Sequence, residues 1–253
     1  MAKKIILCIE TGTDICSAAL SEEGKLIALR ESREGNDHTR NIGVFVDEML
    51  RENDLLPEDL AAVAIGRGPG SYTGLRIGTA FAKGFCYALN IPLLAIDSLE
   101  SLARIACEDY EVGTIESDDW AGALLCPMID ARRMEVFCSV YDTALNSVSG
   151  VEAKIIDEGS FSDLLSGGKD FFIFGSGAKK CQEVMGAQNV KFVEVSPSAR
   201  GLCAAAYEKY LREEWEDIAY FEPFYLKDFV VTKSKKNLLE AVAKKPKKEV
   251  EQQ

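Results

Sequence analysis

Residues 4–31, KIILCIETGTDICSAALSEEGKLIALRE, decide the fold. Apolar and β-branched runs bounded by turn residues read as three strands, at 4–10, 14–21 and 25–31, with Ser21-Glu-Glu-Gly24 as the hairpin between the last two. A helix is expected from about His38, because Ile42, Phe45, Val46, Met49 and Leu50 fall at i, i+3, i+4, i+7 and i+8. Asn36 or Asp37 would cap it. A strand (61–66), a helix (about 71–89), a strand (92–97) and a helix capped by Ser98 complete the first half. The second half repeats the order: strands at 123–130, 134–141 and 151–156, a short helix near 161–165, a strand at 171–174, a helix near 178–185, a strand at 190–195 and a long helix at 198–215. In both halves the first strand ends on an acidic residue at a tight turn, Glu10-Thr11-Gly12-Thr13 and Asp130-Ala-Arg132-Arg133.

Three strands followed by α-β-α-β-α, twice over, describe an α/β chain of two lobes, each a βββαβαβα unit with a mixed sheet. Lobes of this kind enclose a nucleotide cleft in the actin, Hsp70 and sugar-kinase (ASKHA) architecture. The expected divisions are a first lobe at 1–110, an acidic linker at 111–120, a second lobe at 121–226 whose last helix packs back on the first, and a Lys-rich tail at 227–253.

Charge and composition narrow the partners. The 253 residues carry a net charge of −12, yet residues 233–253 hold seven Lys against three Glu, which leaves −16 on residues 1–232. A body so acidic repels phosphate at long range, so any RNA contact is expected to come mainly through another protein, with the tail as the one candidate patch. The longest uncharged run, Gly84 to Ile96, spans 13 residues and contains Asn90 and Pro92, too short to cross a membrane. The N-terminus runs straight into a strand without a signal peptide's cleavage site. Eight cysteines lack any CxxC spacing and sit mostly in apolar runs, as buried thiols do in a reducing compartment; a cytoplasmic location is expected.

The loop Gly66-Arg67-Gly68-Pro69-Gly70-Ser71-Tyr72-Thr73-Gly74 follows a strand and opens a helix, where backbone N–H groups can face an anion. It is neither a Walker A loop nor a dinucleotide fingerprint, and a purely structural turn fits the same residues. As a string, GRGPGSYTGLRIG (66–78) resembles the hallmark segment of the bacterial TsaB family, proteins of tRNA threonylcarbamoyladenosine biosynthesis. Ile9-Glu-Thr11 with Ser17-Ala-Ala19, His38-Thr-Arg40, Ile129-Asp-Ala-Arg132 with Glu135-Val-Phe137, Gly175-Ser-Gly177-Ala and Glu222-Pro-Phe-Tyr-Leu226 also match, from residue 5 to about 226.

The resemblance implies an ASKHA fold and a non-catalytic scaffold, paralogous to the transferase TsaD. It would bind TsaD and the ATPase TsaE and support threonylcarbamoyl transfer to the adenosine beside the anticodon, with tRNA held mainly by TsaD. The competing reading is a small-molecule kinase or ATPase of the same fold. Against it, the second hairpin has Asp130-Ala-Arg132-Arg133 where a kinase keeps glycines that let phosphate approach. The residues left for a degenerate nucleotide or anion site are Glu10, Thr11, Gly12, Asp130, Arg132, Gly175 and Gly177. No tightly bound cofactor is expected, with ATP or ADP held only within the complex. His38 is the single histidine, so a two-histidine metal motif cannot form and neither a metal site nor peptidase activity is expected. The partner surface is expected on the helices 38–51 and 73–89, through His38, Ile42, Phe45, Met49, Phe81, Phe85 and the small-residue stripe Gly74, Gly78 and Ala82, serving a homodimer when the chain is alone and TsaD in the complex.

Overall fold

A computed structural model describes residues 3–33, 38–186 and 188–227; Asn36, Asp37 and the tail beyond Lys227 lie outside the described residues. The first sheet holds β1 (Ile5–Glu10), β2 (Cys16–Glu22), β3 (Lys25–Ser32), β4 (Leu60–Gly66) and β5 (Leu93–Ile96) in the order β3-β2-β1-β4-β5. The second holds β6 (Leu124–Asp130), β7 (Glu135–Asp142), β8 (Ser147–Ile155), β9 (Phe171–Phe174) and β10 (Val190–Phe192) in the order β8-β7-β6-β9-β10. The two orders are the same, with antiparallel pairs among the first three strands and parallel pairs beyond them. The duplication inferred from the strand pattern is therefore a duplication of topology. β1 is buried along its whole length, as a central strand covered on both faces must be.

The helices are α1 (His38–Glu52), α2 (Tyr72–Leu89), α3 (Ser98–Glu111), α4 (Ser162–Leu165) and α5 (Cys203–Leu211). α1 and α2 cover one face of the first sheet, where Ile42, Val46, Met49, Ala82 and Cys86 pack on Leu7, Ile9, Leu20 and Ile65. The other face is covered from the far end of the chain: Ala199, Leu202, Cys203, Ala205 and Ala206 pack on Ile6, Cys8, Ala64 and Leu94. In exchange, Leu99, Leu102, Ala103, Ile105 and Ala106 of α3 pack on the second sheet against Leu125, Ile129, Phe137 and Phe174. Each sheet thus takes a helix from the other half. Each buried Leu or Ile contributes about 1.5–3 kcal/mol, so the exchange ties the lobes together through many apolar contacts. Residues 111–120 run against the second lobe, with Ile115 buried and Trp120 stacked on Tyr110 at 4.1 Å.

Three expected helices change. The segment near 178–185 forms only a 3-10 turn, Lys179–Cys181, because Gly177 and Gly186 leave too few residues between them for a stable helix. The last helix opens as a 3-10 turn, Ala199–Leu202, and stops at Leu211, with Glu213 in the left-handed region (φ 55°). Ser98 is the first residue of α3 and not its cap; Asp97 holds the cap position and its carboxylate pairs with Arg67 instead.

The small-residue stripe on α2 is corrected more sharply. Gly74, Gly78 and Ala82 face inward, and a Cβ on Gly74 would lie 2.0 Å from the Thr11 carbonyl oxygen, one on Gly78 2.3 Å from Thr11 Oγ1. The stripe exists so that α2 can touch the turn after β1, and it is not available to a partner. His38, Ile42 and Met49 are likewise buried in the lobe's own core, while Phe45, Phe81 and Phe85 are half-buried.

These contacts predict a contrast along one helix. Gly74→Ala overpacks the α2–Thr11 contact and should cost roughly 1–3 kcal/mol, a fall of about 2–9 °C in melting temperature for a chain of this size. Gly84→Ala meets nothing within 4 Å and should raise stability by up to about 1 kcal/mol. Thermal melts of both variants check this; equal shifts would contradict the inward orientation.

Candidate functional site

The turn at 10–13 and the loop at 66–74 meet at the mouth of the first lobe through a set of hydrogen bonds. Glu10 ends β1 with its carboxylate buried: Oε1 accepts from the Gly12 N–H at 2.7 Å and Oε2 from the Ser98 hydroxyl at 2.9 Å. Gly66 and Gly12 close around it, since a Cβ on Gly66 would sit 2.0 Å from Oε2 and one on Gly12 3.0 Å from Oε1. Burial pushes the Glu10 carboxyl above its ordinary value, opposed by the bonds from Gly12 and Ser98. Thr11 donates its hydroxyl to the Gly74 carbonyl at 2.9 Å.

Four of the loop's N–H groups are spent in the same way. Arg67 N–H bonds Ile96 O, Gly68 N–H bonds Ser98 Oγ, Ser71 N–H bonds Gly12 O at 2.6 Å, and Gly74 N–H bonds the Ser71 hydroxyl that caps α2. Gly70 approaches so closely that its Cβ would lie 2.3 Å from Gly12 O. Gly68 is left-handed (φ +105°), and a side chain there would also strike Phe224 O at 2.9 Å. The structural alternative open for this loop is the one realised: it is a packing joint.

The segment Glu222–Leu226 explains its own place in the sequence here. Phe224 N–H bonds Arg67 O at 2.7 Å, and its ring lies under the Arg67 guanidinium. Arg67 holds Asp97 through two bonds of 2.9 Å, which raise its pKa further. The Tyr225 ring packs on Tyr72 at 4.8 Å, Phe221 enters the first core and Leu226 joins the second. Lys227 then pairs with Glu135 and lies over the Phe137 ring. One strap thus covers the loop and crosses between lobes.

The equivalent turn of the second lobe is built differently. Asp130 is exposed; its Oδ1 accepts from the Arg132 N–H at 2.7 Å and from Lys180 Nζ at 2.5 Å. Lys180 also donates to Glu135 O at 2.6 Å, and the Asp130 N–H bonds Ser176 Oγ. Arg132 (φ 72°) and Arg133 (φ 54°) both adopt left-handed backbone, a cost of roughly 1–2 kcal/mol each for residues with a Cβ. Gly175 and Gly177 lie against strand backbone: a Cβ on Gly175 would be 2.4 Å from Met128 O, and one on Gly177 2.9 Å from Val136 Cγ1. The two acidic turn residues are therefore present in both lobes, but one is sealed and the other neutralised. The residues named for a nucleotide do not assemble a phosphate cradle: Thr11, Gly12, Gly175 and Gly177 fill packing contacts, and Arg132 extends from an open turn.

His38 Nε2 lies 2.9 Å from Thr13 O, a packing role beneath α1. Among the described residues no group of three His, Cys, Asp or Glu is placed to hold a metal ion. All eight cysteines are free, and burial pushes the Cys16, Cys86 and Cys107 thiols up to about 11 and Cys138 to about 12, far from nucleophilic thiolates at neutral pH.

Sequence reasoning placed a partner surface on α1 and α2 but did not show the groove between them. An open groove of about 520 Å³ runs between α1 and α2, lined by Thr39, Ile42, Tyr72, Thr73, Arg76, Ile77, Ala80 and Phe81. The signal was the width of the α2 apolar surface, which exceeds what one sheet can cover. Among the described residues no helix is long and apolar enough to cross a membrane.

The sealed carboxylate gives a pH signature. A carboxyl raised in the fold stabilises when protonated, below its ordinary value near 4.5, and that stability is lost as pH rises through the folded pKa. Glu10→Gln removes this dependence, so its melting temperature should rise relative to the parent chain between pH 4.5 and 7. A constant difference across that range would contradict the burial of the charge.

Comparison with known proteins gives a consistent picture. The model of the family TsaD, tRNA N6-adenosine threonylcarbamoyltransferase, matches residues 32–235. The tRNA threonylcarbamoyladenosine biosynthesis protein TsaB of Haemophilus influenzae is 32% identical over 139 residues, 55% of this chain and 54% of that protein. The TsaB protein of Bacillus subtilis is 33% identical over 136 residues, 54% of each. The aligned part spans about half the length of these curated relatives. YeaZ from Pseudomonas aeruginosa has the same fold, with a TM-score of 0.72 at 24% identity over 88% of this chain and all of that one.

Proposed function

The chain belongs to the TsaD family, and from that premise we propose that it stands on the TsaB side of that family, as a non-catalytic subunit in the synthesis of tRNA N6-threonylcarbamoyladenosine. It binds a TsaD-type transferase and a TsaE-type ATPase, and the transferase holds most of the tRNA. The observation that carries the non-catalytic reading is the sealing of Glu10: the acidic residue that ends β1 is spent on Gly12 and Ser98. Its counterpart Asp130 is spent on Lys180 and the turn backbone. A group that must reach substrate or metal cannot also be the filling of a packed joint.

The reading includes where the partner docks. With the Gly74–Gly78 stripe turned inward, the surface that remains is the α1–α2 groove, with Ile77 and Phe81 half-buried and Ala80 and Arg76 exposed along it. An apolar groove between two helices suits a third helix laid across it. A second copy of this chain and the transferase would compete for that surface. Nucleotide is bound only in the assembled complex, at a surface the partner completes, and the protein works in the cytoplasm.

Two outcomes are expected. Ala80→Arg and Ile77→Arg together should weaken binding to a TsaD-type partner at least tenfold, by analytical centrifugation of the mixture, with melting temperature within about 2 °C of the parent. Unchanged association would place the partner elsewhere. The isolated chain should show no steady ATP turnover at physiological magnesium; hydrolysis abolished by Asp130→Ala would favour the kinase-like alternative.

A further inference from the structure

The Arg132–Arg133 turn is left without a task by the role just proposed. It costs backbone strain that glycine would avoid, yet it carries two exposed arginines with no ion-pair partner among the described residues. Lys179, on the adjoining 3-10 turn, is exposed and equally unpaired. The nearby acids are already neutralised, Asp130 by Lys180 and Glu135 by Lys227. Lys227 itself lies over the Phe137 ring. Arg132, Arg133 and Lys179 thus remain as exposed, uncompensated cations on a chain whose net charge is −12.

We propose that this edge of the second lobe, Arg132, Arg133 and Lys179, binds the phosphodiester backbone of RNA. The turn itself is held firmly: Asp130 caps the Arg132 N–H, Lys180 bridges Asp130 to the Glu135 carbonyl, and the Ala131 N–H bonds the Glu135 carbonyl. Side chains carried on a fixed backbone leave only their own rotamer freedom to be lost on binding. The arginines are exposed on an open turn and line neither the groove between α1 and α2 nor the cleft beside β8. A mononucleotide needs a pocket, whereas a polymer sums several shallow contacts and gains from each counterion it releases. The acidic remainder of the chain does not prevent this, because at physiological salt its field is screened within roughly 8–10 Å. The inference rests on the tRNA role proposed above, and gives this subunit a contact with the RNA itself.

The test uses the full-length chain and a synthetic tRNA anticodon stem-loop, with fluorescence anisotropy followed across salt concentration. Arg132→Gly with Arg133→Gly is the informative variant: glycine takes positive φ without strain, so melting temperature should hold or rise while charge is lost. The expected result is binding about tenfold weaker near 0.1 M salt, with the slope of log K against log salt shallower by about 1.4–1.8. Arg132→Lys with Arg133→Lys should restore most of the affinity. An unchanged slope in the glycine variant overturns the proposal, as does equal displacement of RNA by polyglutamate, which would assign the turn to an acidic protein. A chain that binds the TsaD-type partner but no RNA overturns this inference alone; one that binds neither overturns the proposed function as well.

Discussion

The close approach of α2 to the turn after β1 is the contact on which the first lobe depends. A helix can come that near only where Gly74 and Gly78 leave room for Thr11, and the same approach drives Gly70 onto Gly12 and Gly66 onto Glu10. Once those glycines are in place, the Glu10 carboxylate has no route to solvent and must find its partners inside, in Gly12 and Ser98. Burying a carboxylate without partners would be far more costly, so Ser98, the first residue of α3, is held at Glu10 in addition to the helix's apolar packing. The glycine-rich loop is thereby explained by packing.

The second constraint is the exchange of helices between sheets. α3 leaves the first sheet to cover the second, and the segment 199–211 returns to cover the first. The Phe221–Lys227 strap repeats that crossing on the loop side, ending on Glu135 and Phe137. A two-lobed fold that opens and closes on a nucleotide needs a free cleft; here the strap and the sealed turn occupy the first lobe's mouth. The proposed role as a platform for other subunits draws on this arrangement.

Much of the architecture was legible in residue patterns. Strand runs such as 4–10 and 123–130 and the α1 spacing at Ile42, Val46 and Met49 led directly to observed elements. Apolar periodicity reports which face is buried but not against which sheet, so the exchange of α3 between the lobes could not be read. The α2 stripe failed for the same reason: a helix apolar nearly all round has no preferred direction until the Thr11 backbone is placed beside it. The two arginines at positive φ carried no signal at all, because glycine or asparagine normally marks such positions. The TsaB-like string at 66–78 named the relatives correctly while saying little of what its residues do, which is to hold one another.

The central claim is that this chain supports threonylcarbamoyl transfer without performing it. The most direct measurement is the initial rate of threonylcarbamoyl incorporation into tRNA in a reconstituted mixture of this chain, a TsaD-type transferase and a TsaE-type ATPase, with each omitted in turn. The account predicts no incorporation by this chain alone, a large fall when it is left out, and an undiminished rate when it carries Glu10→Gln. Incorporation by the chain alone, or loss of the rate with Glu10→Gln in a folded protein, would contradict it.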